Sequence, residues 1–181
     1  MDEKRLVRVS KYLSKHLRHQ PQRLGLVLMT GGWVEVDALL AASVRSGFRI
    51  RRDELAEVVA RNDKKRFAFD DSGTLLRAQQ GHSASVDLDL EPAAPPETLY
   101  HGTPERNVDE ILRSGLLKMR RHHVHLSPEE ATARVVGARR GRPVVLAIAA
   151  GEMHRDGDVF YRSGNGVWLV ECVPPRYLSR R

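Results

Sequence analysis

The sequence predicts an α+β protein with a helical N-terminal lobe and a strand-rich C-terminal lobe. Near the N-terminus, apolar residues recur at the spacing of one helix face, at Leu6, Val9, Leu13 and Leu17. In the second half, two apolar runs have the length and composition of buried strands, Val144–Ala149 and Val167–Val173. A polar, proline-rich stretch separates these two patterns, which places one lobe on each side of it.

That stretch, residues 82–97, carries four acidic residues and no lysine or arginine, and it ends in Pro92-Ala93-Ala94-Pro95-Pro96. It has almost no helical or strand periodicity, and such a composition is typical of an extended linker. The sequence therefore predicts lobes at residues 1–81 and 98–181, joined by a linker at 82–97.

The first lobe has the element order of a winged-helix module. We expect the first helix to stop before Pro21 and the extended segment Trp33–Val36 to follow the Gly31-Gly32 turn. Asp37 is the expected N-cap of a second helix that runs through Ser46, and Asp53 begins a third. A β-hairpin, Arg66–Asp70 with Thr74–Ala78, closes the lobe. Many winged-helix modules bind nucleic acid, but others only join proteins.

The second lobe alternates short strands with short helices. We expect strands at Leu99–Gly102 and His123–Leu126 in addition to the two apolar runs, and a short helix that ends at Gly115. Ser127-Pro128-Glu129-Glu130 predicts a helix start, with serine as cap and proline at the first helical position.

Composition restricts the class of protein. The 181 residues carry a formal net charge of +7. The first lobe contains 16 Lys/Arg and 10 Asp/Glu. This charge allows a polyanionic partner but does not require one. Cys172 is the only cysteine, which excludes an intrachain disulfide and fits a reducing cytoplasm. The sequence predicts neither a membrane span nor a signal peptide. We expect a cytoplasmic monomer.

Arg18-His19 and Arg66 are candidate phosphate ligands in the first lobe. Guanidinium groups form bidentate hydrogen bonds with phosphate and keep their charge. The plain alternative is that Arg18 and His19 only complement the dipole at a helix C-terminus, and that Arg66 is a solvated residue at the start of a hairpin.

Tyr100-His101-Gly102-Thr103 and the stretch Arg121–Ser127 are the candidate site of the second lobe. Gly102 would let backbone approach a ligand closely. Strand alternation places His123 and His125 on one face, where a zinc site is the competing interpretation; we expect no metal, because structural zinc normally takes four ligands and Cys172 lies far along the chain.

These segments resemble the RNA 2'-phosphotransferase family. Leu17-Arg18-His19 is similar to the family's L-R-H segment, Asn62–Phe67 to N-D-K-x-R-F, and Met119–Ser127 to M-x-R-x-H-V-H-L-S, which selects Arg121 over Arg120. The resemblance extends over nearly the whole chain in the same motif order. It implies a winged-helix lobe followed by an ADP-ribosyltransferase-like lobe. The implied catalytic residues are Arg18, His19, Arg66 and Arg121. The implied NAD contacts are Tyr100, His101, Gly102, Thr103, His123, His125 and Ser127.

The resemblance also implies a two-step reaction that removes an internal 2'-phosphate from a tRNA-like RNA, with NAD as co-substrate. Imidazole has a reference pKa of about 6.5, so His19 is the member of the catalytic set suited to proton exchange near neutrality. Two alternatives remain: a winged-helix nucleic-acid-binding regulator with a degenerate NAD-sensing domain, and an ADP-ribosyltransferase that acts on terminal nucleic-acid phosphates.

Overall fold

The structure is a computed structural model that describes residues 1–61 and 65–181. The chain divides into two compact units, Met1–Asp89 and Leu90–Arg181, which we call unit 1 and unit 2. Each combines helices with small antiparallel sheets, which confirms the predicted α+β class. The assignment of unit 1 as a winged helix and of unit 2 as an ADP-ribosyltransferase-like lobe stays a prediction.

The described residues form six α-helices and eleven strands. The helices are α1 Glu3–Arg18, α2 Val36–Arg45, α3 Arg52–Ala60, α4 Val108–Ser114, α5 Glu130–Gly137 and α6 Ala150–Arg155. The strands are β1 Trp33–Glu35, β2 Phe67–Phe69, β3 Leu75–Ala78, β4 Leu99–Pro104, β5 Leu116–Leu117, β6 Val124–Leu126, β7 Pro143–Ile148, β8 Phe160–Arg162, β9 Trp168–Val170, β10 Cys172–Val173 and β11 Leu178–Arg180. No helix in the described ranges is both long and apolar enough to cross a membrane.

Helix α1 forms as its apolar spacing predicts. The side chain of Asp2 accepts a hydrogen bond from the Arg5 amide at the N-terminus, and His19 is the C-cap. The four apolar residues of the predicted stripe are all buried in the core of unit 1, at Leu6, Val9, Leu13 and Leu17. This packing fixes the rotation of α1 and hence the position of its last residue, Arg18.

The predicted hairpin is confirmed as β2 and β3, and β1 joins it to give an antiparallel sheet in the order β1-β3-β2. One face of the sheet packs on the core through Phe67 and Leu76. Residues paired directly across an antiparallel sheet share a face, so Trp33, Ala68 and Arg77 share the opposite face.

The prediction that Asp37 caps α2 was wrong. The helix begins at Val36 with Glu35 as N-cap, and no side chain caps it. The Val36 amide donates instead to the Thr74 carbonyl of the sheet, and an Asp37 oxygen lies 3.2 Å from an Arg52 nitrogen. The sheet contact starts the helix two residues earlier than predicted and places Asp37 in its first turn.

The predicted linker stretch makes specific contacts with both units. In unit 1, His82 and Leu88 are buried, and the Gly31 amide donates to the Asp87 carbonyl. In unit 2, the Ala93 amide donates to the Phe160 carbonyl. The boundary between the units lies within this stretch, after Asp89.

Unit 2 contains three small antiparallel sheets, with strand orders β10-β5, β11-β7-β4 and β6-β9-β8. Strand β4 pairs along its whole length with β7, from Leu99 opposite Ile148 to Pro104 opposite Pro143. On the other side, Tyr100 forms an isolated antiparallel bridge with Ser127, directly after β6. This bridge connects two of the sheets and brings the two predicted site segments of unit 2 side by side.

The prediction that Ser127 caps the following helix was also wrong. Helix α5 begins at Glu130, and Glu129 is its N-cap residue. The Ser127 hydroxyl instead makes a local turn, donating to the Glu129 carbonyl at 3.0 Å and accepting from the Glu129 amide at 3.2 Å. Because the backbone of Ser127 belongs to the bridge with Tyr100, the chain needs this turn before a helix can begin.

Candidate active site

The C-terminal end of α1 holds two of the predicted phosphate ligands. Arg18 is the last residue of the helix, and its guanidinium carbon lies 5.9 Å from the centroid of the Phe67 ring. The Arg18 carbonyl accepts hydrogen bonds from the amides of Ser83 and Ala84, at 2.9 and 3.0 Å. Nδ1 of the exposed His19 lies 2.8 Å from the Ser83 hydroxyl. Both residues are therefore held by a segment far along the chain.

Arg66 directly precedes β2. Its carbonyl accepts a hydrogen bond from the Gln79 amide at 2.9 Å, so the β2–β3 ladder continues one pair beyond the strand. Phe67 follows Arg66 in the sequence, and Arg18 lies over its ring. The fold of unit 1 therefore brings the end of α1 to the start of β2. The rest of the predicted motif, Asn62-Asp63-Lys64, lies outside the described residues.

In unit 2, hydrogen bonds join the two predicted NAD-contact segments. The amide of Tyr100 donates to the carbonyl of Ser127, and the amide of Ser127 donates to the carbonyl of Tyr100, both at 2.8 Å. Nδ1 of His101 donates to the His125 carbonyl at 3.1 Å. Segments more than twenty residues apart thus form one continuous polar edge.

The protonation of His101 follows from its surroundings. Burial lowers the pKa of His101 below its ordinary value, the hydrogen bond to the His125 carbonyl opposes this, and the positive charge of Arg121 lowers it further. A carbonyl only accepts, so Nδ1 carries the proton and Nε2 of the neutral ring is an acceptor. The influence of Arg121 also shows that this arginine lies within electrostatic reach of His101.

His123 and His125 have separate environments. Burial lowers the pKa of His123, whose ring centroid lies 5.4 Å from that of Tyr161 in an edge-on arrangement. Nδ1 of the half-buried His125 donates to the His123 carbonyl at 3.0 Å. Strand β6 starts at Val124, so the prediction that it starts at His123 was wrong by one residue. The ring of His123 lies against Tyr161 of β8.

Gly102 and the buried Thr103 lie where β4 meets helix α5. A Cβ atom built on Gly102 would lie 1.7 Å from the Ala133 carbonyl oxygen, and one built on Gly137 would lie 2.9 Å from the Thr103 amide nitrogen. Glycine is thus required at 102 for a helix to lie directly on the strand. This packing reason was not foreseen in the sequence, which had suggested only close approach to a ligand.

The backbone of Gly102 nevertheless faces a distinct edge. In an antiparallel strand, successive residues direct their N–H and C=O groups to opposite edges. Tyr100 directs both groups to Ser127, so Gly102, two residues later, directs its N–H and C=O to the same edge and away from β7. One donor and one acceptor at this edge match the two polar atoms of a primary carboxamide.

Two residues near the site of unit 1 were missed as site residues in the sequence. Ser83 was placed in the linker, although its hydroxyl contacts His19. Arg77 lies on the sheet face opposite the core, 4.4 Å from the Trp33 ring, and its buried Nε has no hydrogen-bond partner among the described residues. No periodicity or motif in the sequence indicates either residue. The contact of Arg77 with Trp33 arises from the pairing of β1 with β3, and that of Ser83 with His19 arises because the chain returns to the end of α1.

Two concavities among the described residues lie elsewhere. One of about 410 Å³ is lined by Arg5, Arg49, Arg51 and Glu54, and one of about 210 Å³ includes Arg176 and Tyr177. The first is built around an ion pair between Arg5 and the buried Glu54, which connects α1 to α3. Neither contains a predicted site residue, and the hydrogen-bonding groups described above identify the candidate site better than these volumes do.

The segment His122–His125 is expected to bind no metal. Within residues 1–61 and 65–181, no group of three or more His, Cys, Asp or Glu side chains is placed to hold a metal ion. We expect treatment with a chelator to leave the unfolding temperature unchanged, and elemental analysis to find no stoichiometric zinc. Stoichiometric zinc whose removal lowers the unfolding temperature would contradict this expectation.

Comparison with known proteins identifies the family. A family model described as RNA 2'-phosphotransferase, Tpt1 / KptA family, matches residues 4–172. The chain is 57% identical to a protein of Nostoc punctiforme over 99% of both chains. It is 60% identical to one of Streptomyces coelicolor over 98% of this chain and 97% of the relative. It is 50% identical to one of Pseudomonas aeruginosa over 98% of both. Each relative is named "Probable RNA 2'-phosphotransferase". Because the matches extend over almost its full length, the chain belongs to the RNA 2'-phosphotransferase family of transferases.

Proposed function

We propose that this protein removes an internal 2'-phosphate from RNA with NAD as co-substrate. The observation that carries the proposal is the presence of two groups of polar residues. Unit 1 has cationic side chains at the end of α1 and the start of β2, and unit 2 has a polar edge beside β4. Family membership gives the RNA 2'-phosphate, and the chemistry of the two sites supports the use of NAD.

The cations of unit 1 suit a phosphate monoester, which carries nearly two negative charges near neutral pH. Arg18 and Arg66 bind this phosphate in both steps. The phosphate is the nucleophile in the first step and the electrophile in the second. Guanidinium groups that are already oriented stabilise the developing charge without reorganising during the reaction. The half-buried position of Arg18 over Phe67 supports this role.

The edge beside β4 suits the nicotinamide half of NAD. The Gly102 amide donates to the carboxamide oxygen and the Gly102 carbonyl accepts from its nitrogen. Nε2 of neutral His101 accepts a hydrogen bond from a hydroxyl of the adjoining ribose. Tyr100, Thr103, His123, His125 and Ser127 complete the proposed pocket, and NAD supplies the electrophilic anomeric carbon.

The first step joins RNA to ADP-ribose. An oxygen of the 2'-phosphate attacks the anomeric carbon, the bond to nicotinamide breaks, and neutral nicotinamide leaves. The product is RNA-2'-phospho-ADP-ribose. The phosphate is already an anionic nucleophile, so this step requires no general base. Arg121, near His101, bridges the cofactor and the phosphate.

The second step releases the RNA. The 2''-hydroxyl of the ADP-ribose attacks phosphorus, and the bond from phosphorus to the RNA 2'-oxygen breaks. The products are 2'-OH RNA and ADP-ribose 1'',2''-cyclic phosphate. The attacking hydroxyl loses a proton, for which His19 is the proposed acceptor.

One assay tests the proposal against its alternatives. A 2'-phosphorylated oligoribonucleotide is incubated with NAD, and the RNA and small-molecule products are separated. Loss of the phosphate with formation of the cyclic phosphate supports the proposal. A stable ADP-ribosyl adduct that forms equally on terminal phosphates supports the terminal-phosphate alternative. Binding without any turnover supports a nucleic-acid-binding regulator.

The protein is expected to bind 2'-phosphorylated RNA more tightly than the same RNA with a 2'-hydroxyl. Both affinities should weaken as salt rises, because phosphate contacts release counterions. Arg77 is expected to add one phosphate contact, so Arg77→Ala should reduce the slope of log affinity against log salt by about one. Fluorescence anisotropy at several salt concentrations measures this slope.

Arg52→Ala is the matched control, because Arg52 is an exposed cation of unit 1 that pairs with Asp37. We expect its slope to equal that of the original protein. Equal affinity for the two RNAs at one stated salt concentration would rule out a dedicated 2'-phosphate site.

A further inference from the structure

The segment that follows β3 returns to the end of α1. Gly81 and His82 are buried, and the amides of Ser83 and Ala84 both donate to the Arg18 carbonyl. The last carbonyls of a helix have no partner within the helix. The returning segment therefore supplies the missing donors and holds Ser83 beside the C-cap residue, His19.

The side chain of Ser83 makes a second, independent contact. Its hydroxyl lies 2.8 Å from Nδ1 of His19, across 64 residues of sequence. The backbone contact is available to any residue except proline, whereas the hydroxyl contact depends on the side chain. The two effects of this segment, helix capping and histidine contact, are therefore separable by substitution.

We infer that Ser83 is a positioning residue that fixes the tautomer of His19, its oxygen accepting the Nδ1 proton so that Nε2 is the atom that exchanges protons. The inference rests on the proposed function for its catalytic consequence. The same tautomer is present at His101 and His125, where Nδ1 donates to a carbonyl.

A hydroxyl suits this role through the whole reaction. An imidazole that is neutral with hydrogen on Nδ1 has a basic Nε2, and an imidazolium has hydrogens on both nitrogens. Ser83 accepts the Nδ1 hydrogen in both states, so only Nε2 changes when the proton moves. In the second step the 2''-hydroxyl proton passes to Nε2. The departing RNA 2'-oxygen takes up one proton, and Nε2 releases one, so the ring ends neutral.

The alternative tautomer would prevent this chemistry. With hydrogen on Nε2, the ring presents a donor where a base is required, and the basic nitrogen faces Ser83. An orienting partner that fixes a catalytic imidazole in its productive tautomer has a large effect on rate in other enzymes. A neutral hydroxyl is a weaker partner than a carboxylate. We therefore expect about a tenfold to hundredfold effect here, the size found when groups that orient metal-bound histidines are removed.

The test compares Ser83→Ala, Ser83→Thr and the control Ser85→Ala, an exposed serine of the same segment. Ser83→Ala keeps the amide that caps α1 and removes only the hydroxyl. Side-chain nitrogen NMR of the whole protein, with His19→Ala used to assign the signal, reports the tautomer of His19. Quenched-flow gels report the rates of the two steps separately.

We expect His19 to carry its hydrogen on Nδ1 in the original protein, in Ser83→Thr and in Ser85→Ala. In Ser83→Ala the tautomer should shift towards hydrogen on Nε2. The second step should then slow by about ten- to a hundredfold, the first step should change little, and Ser83→Thr should recover most of the rate.

An unchanged tautomer in Ser83→Ala, or an equal loss in Ser83→Thr, overturns the inference. The NMR measurement requires no turnover, so it decides the inference even if the proposed function fails. Absence of any 2'-phosphate removal by the original protein would overturn the proposed function alone.

Discussion

His19→Ala is expected to slow the second step by about 10²–10⁴-fold, because general acid–base catalysis typically contributes that much. The first step should change far less, since the 2'-phosphate attacks without losing a proton. RNA-2'-phospho-ADP-ribose should therefore accumulate, and it is visible as a slower-migrating band on a denaturing gel.

Two further variants make this result specific. Arg121→Ala should impair both steps, because we propose that Arg121 contacts cofactor and phosphate. His154→Ala, an exposed histidine of α6 outside the proposed site, should leave both rates unchanged. If His19→Ala fails to consume substrate and forms no adduct at any time, His19 is a binding residue and the proton-transfer argument is wrong.

Gly102→Ala is expected to destabilise unit 2 by more than the roughly 1–3 kcal/mol of ordinary overpacking, because the obstacle is backbone rather than a side chain that can rotate. The added Cβ would lie 1.7 Å from the Ala133 carbonyl oxygen, so α5 must move away from β4. Urea denaturation followed by circular dichroism measures the loss.

Gly166→Ala is the matched control in the same unit. Gly166 has a φ of 82°, and a Cβ added there would meet no atom within 4 Å, so alanine at this position meets only backbone strain. That strain costs about 1–2 kcal/mol. Equal losses for the two variants would show that α5 yields easily, and would contradict the packing reason for glycine at 102.

Local sequence patterns predicted the elements that depend on local spacing. The apolar stripe of α1 from Leu6 to Leu17 is buried as expected, and β2 and β3 form the hairpin within the two predicted segments. These predictions succeeded because side-chain periodicity and turn chemistry act within a few residues.

The predictions that failed depended on distant partners. Asp37 is a good capping residue, yet the contact of Val36 with Thr74 sets where α2 begins. Ser127 has the sequence of a cap, yet its bridge to Tyr100 delays α5. In each case a pairing between separate strands or loops overrode a local preference, and a single sequence contains no direct signal for such pairings.

The candidate site shows the same division. The side chains of Arg18, His19 and Arg66 were identified from motifs, whereas Ser83 was not, because nothing near it in sequence indicates that the chain returns to α1. The second reason for Gly102, its contact with α5, likewise becomes visible only once helix and strand are packed.

The return of Ser83 to His19 also has a consequence for folding kinetics. The contact closes a loop of 64 residues. Closing a loop of that length costs conformational entropy, which must be lost before the contact can stabilise the closed state. Helix α1 can form early, because its apolar spacing is local. In a chain whose β2–β3 hairpin has not yet paired, however, Arg18 and His19 lack the contacts with the segment that follows β3. The amide hydrogens of Ser83 and Ala84 should consequently exchange with solvent only when unit 1 opens as a whole. Maturation of the catalytic geometry is thus a late event that coincides with completion of this unit.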